Sequence, residues 1–197
     1  MAASAAAADP RALVRRGMSK FSRNDVEGAA ADFDAAWAAD PSLRPFLWQR
    51  GLAHYYLGRY QEGAEQFRSD VAVNPNDTEE AIWAFICEAR LQGPASARQN
   101  FLVVGQDSRP VMRAAYEAFK AGGSPDKIRT AIADPSGHSA FYGQLYVGLW
   151  HEAEGTLQEP SARAAILAAC ATEYARKSGD YMASLARVHC LRRGWQA

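Results

Sequence analysis

Cysteine is scarce here, and what there is forms no pattern. Cys87, Cys170 and Cys190 are odd in number, far apart and set among apolar residues at helical spacing. That argues against a disulfide framework or a zinc site, and for small buried hydrophobes in a reducing, intracellular compartment. A surplus of one charge is missing too. The 22 Lys plus Arg balance 22 Asp plus Glu, so the basic field that phosphate-backbone binding needs is absent, and nucleic acid is not an expected partner. No apolar run reaches the roughly 18 to 20 residues of a membrane-spanning helix, because Gly, His, Arg or Glu interrupts each candidate. The expectation is a soluble chain that does not span a membrane, placed in the cytoplasm or in an organelle, with a plastid left open. The alanine-rich start, Met1–Asp9, has neither the basic-then-apolar order of a secretory signal nor a lipobox cysteine. It reads as a flexible segment: an unprocessed start, or the remnant of a transit peptide.

What is present is a folding composition, with 48% hydrophobic and 22% charged residues over 197 positions, enough for one well-buried domain. Within it lies a repeat. Asp40-Pro41 and Asn74-Pro75 close two similar stretches whose prolines are 34 positions apart, and that offset also pairs Gly17 with Gly51 and Phe33 with Phe67. The pairings have physical roles. A small residue on a first helix lets a second helix approach, an aromatic on the second fills the space between them, and proline ends the hairpin. Asn24-Asp25 and Gly58-Arg59 provide the turns. The period and the residues resemble the tetratricopeptide repeat.

Beyond Asn76 the repeat chemistry loosens and helical periodicity takes over. Thr78–Leu91 is a helix opened by Asp77 or Thr78, with a partner expected over Ala95–Val104. Arg109–Lys120 is a further helix, and a short one follows with Ser124 as N-cap and Pro125 at its first position. His138–Ala153, Ser161–Lys177 and Asp180–Arg193 complete the chain. The last has Met182, Leu185, Val188, His189 and Leu191 placed to dock as a cap. The expected fold is an all-α, tetratricopeptide-like helical-hairpin solenoid, an α–α superhelix of about nine helices. It divides into repeats over about 10–43 and 44–77, divergent helices over 78–135, and a C-terminal hairpin with capping helix over 137–195.

A narrower likeness rests on Gln49 to Gly93. Arg50-Gly51, Tyr55-Tyr56, Gly58-Arg59, Pro75-Asn76-Asp77 and Trp83 resemble the core of the bacterial NlpI-like tetratricopeptide proteins, with a weaker echo in Phe141-Tyr142 and Glu152-Ala153. The resemblance covers about half the chain. It implies a non-enzymatic adaptor that brings other proteins together; members of that family are anchored to an envelope membrane, and no lipid-attachment cysteine stands near the start of this sequence.

No chemical motif competes with that expectation. His54, His138, His151 and His189 have no ligand spacing, Ser139 lacks the glycines of a nucleophile elbow, and Gly122-Gly123 is no phosphate loop. No catalytic residue, metal or cofactor is expected. The candidate site is instead the concave face, lined by Val14, Met18 and Phe21 in the first unit, Trp48, Leu52, Tyr55 and Tyr56 in the second, and Ile82 beyond. Apolar and aromatic, it suits a peptide or helix segment of another protein. The competing expectation is a structural subunit of a larger, even organellar, assembly or a homo-oligomer, held through the same faces.

Overall fold

Asp9 opens the first helix, its carboxylate accepting from the Arg11 amide while Pro10 takes the first helical position. The computed structural model describes residues 9–155 and 160–196. The flexible segment expected over 1–9 therefore lies, apart from Asp9, outside the described residues.

The first hairpin is α1 (Pro10–Ser22) and α2 (Val26–Ala39); the second is α3 (Trp48–Tyr56) and α4 (Tyr60–Val73). Each turns on a residue with positive φ, Asn24 at 67° and Gly58 at 73°. The close approach is the one the repeat requires. A Cβ built on Gly17 would lie 2.7 Å from the ring of Phe33, and one on Gly51 would lie 2.7 Å from the ring of Phe67. Between the hairpins runs a 3-10 helix, Pro41–Phe46, which the sequence reading did not anticipate. Asp40 starts it by accepting from the Ser42 amide and hydroxyl.

α5 (Thr78–Gln92) is capped by Asp77, which accepts from the Glu80 amide, and stops at Gly93 with φ 83°. Its expected partner over Ala95–Val104 is replaced by the short α6 (Pro94–Arg98) and a non-helical stretch. That stretch is tied down elsewhere: Gly105 N donates to Pro75 O at 2.8 Å, and Tyr116 Oη donates to Leu102 O at 3.1 Å. α7 (Pro110–Ala121), α8 (Asp126–Thr130) and α9 (His138–Ala153) follow, with Pro125 one place before α8 rather than at its first turn. The single helix expected over 161–177 is two, α10 (Pro160–Ala171) and α11 (Glu173–Lys177). Thr172 divides them, its hydroxyl donating to Ala169 O and accepting from Ala175 N. α12 (Tyr181–Arg193) ends the described fold. Twelve α-helices and one 3-10 helix, with no strand among the described residues, make this an all-α helical-repeat fold; short helices account for the excess over about nine.

α12 packs on α1 and α10, so the last helix returns to the first. Tyr181 stacks on Phe21 with centroids 5.4 Å apart and meets Trp48 edge-on at 5.2 Å. Arg192 adds a two-pronged ion pair to Glu27 at the start of α2. Met182, Leu185, Val188 and His189 are buried as a docked helix requires, whereas Leu191 points outward at 60% exposure. Cys87 is buried, and Cys170 and Cys190 face each other as free thiols 3.9 Å apart. No helix among the described residues is long and apolar enough to cross a membrane.

Candidate binding site

The return of α12 decides where the expected groove residues go. Phe21, Leu52, Tyr55 and Ile82 are 2% exposed or less. Val14, Met18, Trp48 and Tyr56 are half-buried against the same core. Tyr55 and Tyr56 are moreover held by polar contacts beneath α12. Tyr55 Oη donates to Glu152 Oε1 at 2.7 Å, Tyr56 Oη lies 3.0 Å from His189 Nδ1, and His189 Nε2 is 3.1 Å from Glu152 Oε2. Arg193 completes the cluster as an ion pair to Glu152. This face is largely occupied by the chain's own last helix, and Tyr55 works as a latch inside the molecule.

Where α12 begins, the filling is incomplete. A cavity of about 280 Å³ lies between α3, α4, α5, α9 and the start of α12. Trp48 and Leu52 come from α3, Phe67 from α4, Trp83 from α5, and Tyr142 and Tyr181 from the C-terminal third; Met182 closes one side. Of the expected groove residues, only Trp48 and Leu52 border this space. The others that border it come together through contacts between distant parts of the chain. Tyr142 and Tyr181 carried a signal only as aromatics on helices of unknown neighbours.

The polar part of the lining is acidic throughout: Asp77, Glu79, Glu80 and Asp180, with no Lys or Arg. Three of these carboxylates have structural partners. Asp77 caps α5. Glu79 accepts from Arg109 Nη1 at 2.8 Å and Tyr146 Oη at 2.9 Å. Asp180 caps α12 through Met182 N and accepts from the hydroxyls of Tyr142 and Tyr174, each at 2.8 Å. Glu80 differs. It is 8% exposed, and its Oε2 is buried with no hydrogen-bond partner among the described residues. Burial, reinforced by Asp77, Asp70 and Glu79, pushes its carboxyl up to about 9, which favours the protonated form at neutral pH. Trp83, 2% exposed, likewise has an indole N–H without a hydrogen-bond partner among the described residues. Among the described residues no three His, Cys, Asp or Glu side chains form a group that could hold a metal ion.

A buried carboxylic acid and an indole N–H, both unpaired among the described residues, thus belong to side chains that wall the cavity. No family model matches the sequence. Over 101 residues it is 29% identical to Protein SGT1 homolog of Bos taurus, a match that takes in 49% of this chain and 30% of that protein, so the chain is similar to a minor part of a longer relative.

Proposed function

We propose that the chain is a non-enzymatic, soluble interaction module of the tetratricopeptide type, which binds a segment of a partner protein at the cavity between α3, α5 and the start of α12. The cavity carries the reading. It is walled by Trp and Tyr and, at about 280 Å³, is too small for a folded domain. It suits one or two side chains of a docked segment. The matched glycine–phenylalanine contacts at Gly17 and Gly51 support the repeat type. The partial likeness to Protein SGT1 homolog is in keeping with a module that occurs within a longer chain.

Trp48 is the residue to change, because it is half-buried and borders the cavity. Tyr55→Ala would instead break the bond to Glu152 and confuse folding with binding. Affinity capture from the native source with the intact protein and with Trp48→Ala, both checked by circular dichroism, tests the reading. A defined partner retained by the first and lost by the second supports it. Equal retention by both refutes the site.

A further inference from the structure

The chemistry of the cavity selects what enters it. We infer that the cavity receives a cation, the ammonium or guanidinium head of a basic side chain on the partner, with Glu80 as its counter-ion and Trp48, Trp83 and Tyr181 as its walls. This rests on the interaction-module reading and deepens it.

Most of the acidity at this point has a plainer explanation, since Asp77 and Glu79 complement the amino end of α5 and Asp180 that of α12. Glu80 escapes it. Its carboxyl is close enough to those of Asp77, Asp70 and Glu79 to feel their charge, has no hydrogen-bond partner at Oε2 among the described residues, and belongs to a residue nine-tenths buried. Leaving a carboxyl in that state costs free energy, and a cation entering the cavity would offset it by pairing with the carboxylate form. Arg109, the guanidinium bonded to Glu79, is not free to pair with Glu80, because it is also bonded to Asp107 at 2.7 Å and rests over the Tyr142 ring at 5.3 Å. Aromatic faces with a carboxylate behind them are the environment that desolvated cations prefer. A neutral apolar side chain would fit the walls but leave Glu80 unpaired; an anion would be repelled by every carboxylate present. When the cation enters, Glu80 becomes its carboxylate partner and a proton leaves to solvent.

Isothermal titration of the full chain with N-acetyl-arginine amide, N-acetyl-lysine amide and the neutral N-acetyl-norleucine amide tests this, run in two buffers of different ionisation enthalpy. The basic amides are expected to bind about tenfold or more tightly than the neutral one, with proton release, and Glu80→Gln is expected to lose about tenfold and to abolish the release. The substitution keeps the shape of the side chain, and Trp48→Leu offers a second variant with the same expected loss. Equal binding of basic and neutral amides, unchanged binding by folded Glu80→Gln, or no binding of any amide overturns the inference. Tetramethylammonium binding as tightly as the amides would overturn the assignment to a partner's side chain. The two readings fail separately: a captured partner lost with Trp48→Ala yet indifferent to Glu80→Gln leaves the module standing without the cation, and amide binding with no captured partner does the reverse.

Discussion

Gly51 has no room for a methyl group. A Cβ there would sit 2.7 Å from the Phe67 ring, inside the contact distance of two carbons. Gly51→Ala is therefore predicted to destabilise the fold by about 1–2 kcal/mol despite the better helix propensity of alanine. Thermal unfolding checks it, and an unchanged or higher midpoint would contradict the close approach. This contact was legible because the 34-residue offset repeats it at Gly17 and Phe33. Asp70 was not legible. It is 1% exposed, accepts from Gln66 Nε2 at 2.7 Å, has no partner at Oδ2 among the described residues, and is pushed up to about 7 by burial. The unfolded chain titrates the same group near 3.9. Between those values the native state holds a proton that the unfolded state has released, so the contribution of Asp70 to stability is greatest below that window and is lost as pH rises through about 7. Asp70→Asn is predicted to flatten that decline and to gain about 1–2 kcal/mol at pH 8. Urea unfolding of both proteins at pH 5 and pH 8 measures it; an Asp70→Asn gain no larger at pH 8 than at pH 5 would contradict it. Glu80 shows why sequence misleads at this scale. In the first turn after Asp77 it reads as an ordinary capping-region carboxylate, and only its surroundings make it unusual.

Between elements, the latch under α12 and the ion pair on its surface should differ sharply. Glu152 is 1% exposed and is met by Tyr55, His189 and Arg193 from three directions. Glu152→Ala is predicted to cost about 3 kcal/mol, because it strands buried donors and opens a cavity. Arg192→Ala, which removes the pair to the exposed Glu27, should cost less than about 0.5 kcal/mol. Chemical denaturation of both variants compares them directly, and similar losses would mean that α12 is held by its rim rather than its buried face. Helix starts were readable where a carboxylate caps them, as Asp77 and Asp180 do. The break at Thr172 was hidden because the chain around it continues a helical pattern, and a single hydroxyl bonded on both sides divides it. The stretch after α6 was unreadable for a different reason: its amides and carbonyls pair with Pro75 and Tyr116, far away in the chain.

At the scale of the molecule, the last described helix returns to the first, where α12 packs on α1. A groove inferred from two aligned hairpins could not include that return, which is why Phe21, Tyr55 and Tyr56 serve the interior while Trp48 and Leu52 face the remaining cavity. Aromatic residues on first helices were the right feature; what lay opposite them was supplied by residues more than a hundred positions later, such as Tyr181. Hydrogen exchange of the intact chain, alone and with its captured partner, tests the binding site most directly. Slowed exchange in the first turns of α5 and α12 and along α3, with α2 and α10 unchanged, is the predicted result. Protection confined to α2 and α10, with those first turns unaffected, would contradict it.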